Sequence, residues 1–314
     1  MRDVFPAGAV TASGGPHVAR IGVPAIALLM CSCAWGARTE GGDFVRLPPP
    51  RKGEWRSVFP EREQTFDEYR NDMGRALAFE KRLIRILPLG EAQEDDDVLL
   101  EKLSAYLGAY YMTRVEVEPR RAMPASVRKR PTRGFGPQYR AEDILKEVGR
   151  APPAGTVARL AVTSHDLYAT GPSGAEMNFV FGMGGAARRA GVISVARYRM
   201  RFPSEPVNNT MLRRVLKVGA HEVGHMFGLM HCATYACAMN GTNSLKESDS
   251  RPVHLCPPCL RKLTWHLDTS LSVRYTVLAK SYDKLGWKSD AAFARRRASS
   301  SRVRGYPCAI GGKQ

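Results

Sequence analysis

The segment of this sequence best equipped for chemistry is His221-Glu222-Val223-Gly224-His225. On a helix, residues four apart share one face, with Cβ atoms about 5–6 Å apart. Both imidazoles can therefore reach one Zn²⁺ at about 2.0–2.1 Å. Glu222 projects beside them, near a water on that metal. Zinc lowers such a water's pKa toward ~7, so the carboxylate can take its proton. Gly228 comes three residues after His225, and His231 three after that. Glycine takes positive φ at no steric cost, so the helix can stop there and the chain turn sharply. His231 can then swing back as a third ligand. Three protein ligands and one open position describe a catalytic zinc site, whereas a structural site is closed by four. Three of the seven histidines fall on this spacing.

Two cysteine pairs come next: Cys232 and Cys237, then Cys256 and Cys259, with 18 residues between the inner members and Met239 in between. This reads as a four-thiolate structural zinc site. Two disulfides are an alternative open to a secreted chain. A redox pair at Cys256 and Cys259 is another, although no βαβ pattern precedes it. Cys31, Cys33 and Cys308 have no partner pattern.

These ligands need elements to carry them. Asn208-Asn209-Thr210 is a capping cluster, and Leu212, Val215, Leu216 and Val218 give the helix that follows an apolar face under His221. Upstream, strands are predicted at 83–90, 112–118, 156–163, 179–182 and 191–195. Helices are predicted at 65–80, after the acidic turn Asp95-Asp96-Asp97, and at 141–148. Strands and helices alternate, so the class is α/β or α+β. After Gly228 the chain reads as loop until a second good helix at 270–285. Asp166 and Tyr168 follow a strand and face either a cleft or a packed turn. His165 and His254 read as loop histidines. Arg197 reads as a surface cation or as a contact for a peptide carboxylate.

At 314 residues, with 44% hydrophobic and 25% charged residues, the chain is globular and can bury a core without metals or disulfides. Wholesale disorder is excluded, and no uncharged run reaches 18 residues, so no standard membrane-spanning helix is expected. The net charge of +17 raises nucleic acid as a partner, but two stretches hold most of it. Pro119–Arg133 has six basic and no acidic residues, and Trp287–Gln314 has seven basic and one acidic. Neither carries an aromatic-interleaved or helical recognition motif, so both read as solvated basic segments and no specific nucleic acid is expected. Residues 21–37 are uncharged and follow Arg20, with a small-residue cleavage site at Ala34-Trp35-Gly36, as in a signal peptide. Pro24 inside the apolar run and the long leader fit an extension instead.

The run His221-Glu222-x-x-His225-x-x-Gly228-x-x-His231-Cys232-x₄-Cys237-x-Met239, completed by Cys256-x-x-Cys259, resembles the archaemetzincin (archaelysin) family within the metzincin clan. Pro88-Leu89-Gly90, Val162–Tyr168, Asn178–Gly182, Gly191–Val195 and Cys259–Leu263 are similar to it too, so the resemblance spans about residues 57–287. It implies a zincin-like α/β (α+β) catalytic domain at 57–287, with a mixed sheet, an active-site helix and a zinc-stapled, loop-rich C-terminal subdomain. An N-terminal extension, 1–56, and a basic disordered tail, 288–314, would flank it. It implies two Zn²⁺ per chain: a catalytic one on His221, His225 and His231, and a structural one on Cys232, Cys237, Cys256 and Cys259. Met239 would be the Met-turn beneath the metal. Glu222 would be the general base of a metallopeptidase whose nucleophile is zinc-bound water, aminopeptidase-like on short peptides. A zinc-stabilised binding protein that has lost catalysis is the alternative. A cytoplasmic monomer is expected, or a secreted one if residues 1–36 are a signal peptide.

Overall fold

In the computed structural model, the described residues are 42–73, 83–132, 134, 136–171, 174–199, 208–266 and 269–303. Two short helices come first, α1 (Trp55–Val58) and α2 (Phe66–Met73). The apolar run Leu83–Leu89 forms β1, and the acidic turn opens α3 (Asp96–Tyr111). β2 (Arg114–Val117), β3 (Lys129–Pro131) and β4 (Pro137–Arg140) follow, then α4 (Ala141–Val148) and β5 (Thr156–Thr163). Next are β6 (Asp166–Tyr168), β7 (Gly182–Gly185), β8 (Ala190–Ser194) and the single turn α5 (Ala196–Arg199). The 18-residue helix α6 (Asn209–Met226) leads into α7 (Leu245–Asp249), α8 (Pro257–His266), α9 (Leu271–Lys284) and α10 (Lys288–Val303).

Five strands form the main sheet in the order β2-β1-β5-β8-β7. The first four run parallel, and β7 pairs antiparallel with β8 at the edge. All of β5 except Thr156 is buried, the mark of a parallel strand covered on both faces. The alternation along β1 shows the two layers. Ile84 and Ile86 join Leu103, Val215 and Val223 in the core under α3 and α6. Leu87 and Leu89 join Ile144, Val148 and Val192 in a smaller core under α4. A second sheet, β3-β4-β6, stands apart from the first. The fold is therefore mixed α/β, with α6 laid on one face of the sheet beside its antiparallel edge.

Three expectations change. Phe179–Phe181 lies before the edge strand, which is the glycine-rich Gly182–Gly185; strand propensity gives such a segment little weight. The stretch after Gly228 holds two helices, α7 and α8. Pro257 and Pro258 open α8, where proline is tolerated because first-turn N–H groups have no intrahelical partner. The segment expected as a disordered tail is helical over Lys288–Val303. Its Ala291, Ala294 and Ala298 are buried at helical spacing, and the ring of Phe293 stacks on His254 with centroids 4.0 Å apart. Arg295 pairs with Asp283, and Arg296 with Asp43 at 3.0 Å. The triple arginine hid the apolar stripe beneath it. The 21–37 segment, Cys31, Cys33, Cys308 and residues 304–314 lie outside the described residues, as does the later part of the helix expected at 65–80. Among the described residues, no helix is long and apolar enough to cross a membrane.

Candidate metal centre and active site

Helix α6 begins where the capping cluster predicts: the Asn208 side chain accepts a hydrogen bond from Met211 N at 2.8 Å. It ends at Gly228, which has φ +79°. Gly228 N donates to His225 O at 2.9 Å and Leu229 N to Gly224 O at 3.0 Å. These are the paired bonds of a Schellman ending, with glycine at its left-handed position. A Cβ there would fall 2.1 Å from Met73 Sδ, so space as well as φ demands glycine. The turn brings His231 back over the last turn of α6.

One nitrogen from each of His221, His225 and His231 lies within 4.8 Å of the others. The outer nitrogens are all engaged. His221 Nδ1–H donates to Ala238 O at 2.8 Å and His225 Nδ1–H to Leu229 O at 2.7 Å. Carbonyls only accept, so both protons must sit on Nδ1 and both Nε2 atoms carry lone pairs. Those two Nε2 atoms face each other at 3.0 Å. Two lone pairs so close repel unless a cation lies between them. Three nitrogens about 2.0–2.1 Å from one tetrahedral zinc would stand about 3.3 Å apart, so the donor set fits that ion. Burial and the neighbouring His231 push His221 down to about 3, and burial and His221 push His225 far down too, so both rings are neutral, as metal ligands must be.

Glu222 is 5% exposed, and burial lifts its carboxyl to about 8. The edge strand β7 presses on it. A Cβ on Gly182 would lie 2.7 Å from Glu222 Oε1, and one on Gly184 would lie 2.4 Å from the Glu222 carbonyl oxygen. Met239 is buried against α6, its Sδ 2.5 Å from where a Cβ of Gly224 would stand. The residue expected in the Met-turn thus packs on α6 at Gly224, next to His225 in the chain.

Cys232, Cys237, Cys256 and Cys259 are buried free thiols whose sulfurs all lie within 4.8 Å of one another. Four sulfurs about 2.3 Å from one zinc would be about 3.8 Å apart, and Cys232 and Cys256 are at 3.6 Å. Met239 N and Cys256 N donate to Cys237 Sγ at 3.4 and 3.3 Å. The donor set is soft and closed, which fits a structural zinc better than a redox pair.

The remaining marked residues have structural partners. Arg197 holds the fully buried Asp166 through two bonds of 2.8 Å and stacks on Phe179. Tyr168 lies under Arg130, and His165 pairs with Glu91 at 3.0 Å. His254 is held by Phe44 and Phe293. The basic stretch at 119–133 is tied to acids: Arg120 to Asp96, Arg121 to Glu118, Arg128 to Asp143 and Arg130 to Glu176. Two site residues were not foreseen. Glu61 accepts from His231 Nδ1 at 2.9 Å and from Trp55 Nε1 at 2.9 Å. Half-burial pulls the Glu61 carboxyl up and the His231 hydrogen bond pulls it down; the net shift is down. No spacing rule could find this contact, since Glu61 and His231 are 170 residues apart.

Comparison with known sequences points the same way. A sequence model of peptidase family M54 matches residues 152–265. Archaemetzincin-2 of Macaca fascicularis is 31% identical over 265 residues, covering 73% of this chain and 72% of that protein. The archaemetzincin of Thermococcus kodakarensis is 34% identical over 195 residues, 60% of this chain and 100% of that one. Among solved structures, the archaemetzincin of Methanopyrus kandleri is 28% identical with a TM-score of 0.47, covering 60% of this chain and 98% of its own.

Proposed function

Because the chain belongs to the archaemetzincin family and is a zinc-dependent metallopeptidase, we propose that it removes residues from the free N-termini of short peptides, with Glu222 as general base. In this reading His221, His225 and His231 hold the catalytic ion, and Cys232, Cys237, Cys256 and Cys259 hold a second, structural one. The observation that carries it is the pair of facing Nε2 lone pairs 3.0 Å apart, one residue along the helix from a buried carboxylate.

When bound, zinc polarises the scissile carbonyl and acidifies water. The chain's own groups do the rest. Ala238 O and Leu229 O fix the ring tautomers of His221 and His225, so the ligating nitrogens need no rearrangement. Glu222 takes a proton from the attacking water as the new C–O bond forms. It then delivers that proton to the peptide nitrogen as the C–N bond breaks. β7 lies close against Glu222 at Gly182 and Gly184 and limits where its carboxyl can swing. The aminopeptidase part rests on the family resemblance and is tested separately. Matched peptide libraries with free and with acetylated N-termini should give cleavage of the free set alone, one residue at a time. Equal internal cleavage of both sets would make the protein an endopeptidase.

A further inference from the structure

The first part of the described chain lies against the turn that carries His231. Leu47 N donates to Thr234 O at 2.9 Å, and Ala236 N to Val45 O at 2.8 Å. Arg56 reaches Ala233 O at 3.3 Å. Gln64 Nε2 donates to Gly228 O at 3.2 Å, and the Tyr69 hydroxyl to Phe227 O at 2.9 Å. Residues 45–69 therefore bracket 227–236 from the end of α6 to the first cysteines.

Within this strap the side chains of Glu61 and Trp55 both meet His231. Both oxygens of Glu61 accept from His231 Nδ1, at 2.9 and 3.1 Å. Glu61 Oε2 also accepts from the Trp55 indole at 2.9 Å, and the Trp55 ring meets His231 edge-on with centroids 5.0 Å apart. Trp55 is itself anchored, its backbone N–H donating to the Glu247 carboxylate at 3.1 Å. The three histidines are thus held differently. His221 and His225 are oriented by backbone carbonyls of their own neighbourhood, Ala238 and Leu229. His231 is oriented by a charged side chain from the N-terminal strap.

We propose that Glu61, held by Trp55, is the positioning residue for His231, so that the N-terminal strap sets the affinity of the three-histidine site. The proposal rests on His231 being a zinc ligand. A carboxylate on Nδ1–H fixes the ring orientation and the tautomer that leaves Nε2 free for the metal. His231 sits on the turn after the helix, and among the described residues its ring nitrogen Nδ1 is hydrogen-bonded by Glu61. Losing such a partner lowers metal affinity about 10–100-fold.

The test is a chelator titration of the full-length zinc-loaded protein, reading zinc retained per chain at each chelator concentration. His231→Ala identifies the release step of the histidine site by shifting it to lower chelator; if no step shifts, the ligand reading itself fails. Given that shift, Glu61→Ala should move the same step by about 10–100-fold and leave the cysteine-held zinc in place. Glu61→Gln, which keeps an acceptor oxygen at the same reach, should recover part of it. Trp55→Phe keeps a ring against His231 but removes the indole donor, and should move the step in the same direction by less. It also stands in if Glu61→Ala does not fold. A histidine step unmoved in Glu61→Ala, or both steps moving together as a loosened strap would cause, overturns the proposal.

Discussion

Glu222 is buried because β7 lies against it, and that contact exists only because residues 182 and 184 have no side chain. At Gly184 the obstacle is the Glu222 carbonyl oxygen, 2.4 Å from a built Cβ, and backbone cannot swing aside as a side chain can. Gly184→Ala should therefore push the edge strand off α6 at Glu222. A displacement near 1 Å costs about 10²-fold in rate, so peptide hydrolysis should fall at least about tenfold while zinc content stays at the wild-type value. Wild-type turnover in this variant would show that β7 does not position the carboxylate. At this scale the sequence was legible where residue type and spacing coincide. The histidines, Glu222 and the four cysteines announce themselves by ligand chemistry and helical or loop spacing. Glu61 and Gly184 do not, because one acts across 170 residues and the other through the absence of atoms.

Helix α6 joins the chemistry to the core and carries a half-buried cation one turn before His221. The Lys217 ammonium donates to Ser248 O at 2.6 Å and Arg251 O at 2.7 Å, fastening α6 to the end of α7. Burial, and then the neighbouring Arg213, hold it down at about 8 against an ordinary 10.5. Between those values the unfolded chain binds the proton and the folded chain does not, so stability rises with pH across that window. Below about 8 both states are protonated and this contribution is flat. Wild type should therefore gain stability relative to Lys217→Met as pH is raised from 8 toward 10.5 in denaturant unfolding. Parallel pH profiles would show that the ammonium is not destabilised in the fold. Among elements, α4 and β5 are legible to the residue, since continuous burial and a clean apolar stripe leave one solution. β7 and α10 are not. The first is too rich in glycine for propensity to see, and the second hides its alanine stripe behind arginines.

Over the whole molecule, the described chain before α2 and the cysteine cluster hold the region after Gly228 against the sheet and its helices. The four cysteines are 0–3% exposed within the main core, and Cys232 N bonds Met239 O at 2.8 Å. Loss of zinc there strands polar groups in the core and frees the loop that bears Met239 and His231. Structural zinc contributes ~10–16 kcal/mol in small finger peptides, and less net inside a larger domain. Replacing Cys256 and Cys259 with Ser should lower the thermal midpoint more than replacing His221 and His225 with Ala, whose helix keeps its buried face. The serine variant should also lose its catalytic zinc. Equal midpoints, with that zinc retained, would show that the cysteines are not the staple. The architecture class was legible from the alternation of strands and helices. The strap's contacts were not, because the sequence at 42–56 has the Gly, Pro and Arg content of a linker and its partners lie far along the chain.

In the proposed reading one zinc on three histidines works with Glu222 to cleave peptides while a second zinc holds the fold. Zinc per chain and peptide hydrolysis, measured together in wild type and Glu222→Gln, test it most directly. The amide is nearly isosteric but cannot accept water's proton, and general base catalysis contributes about 10²–10⁴-fold. Two zinc ions per chain are expected in both proteins, with a loss of hydrolysis of at least that order in Glu222→Gln. Undiminished hydrolysis in Glu222→Gln, with both zinc ions in place, would contradict it.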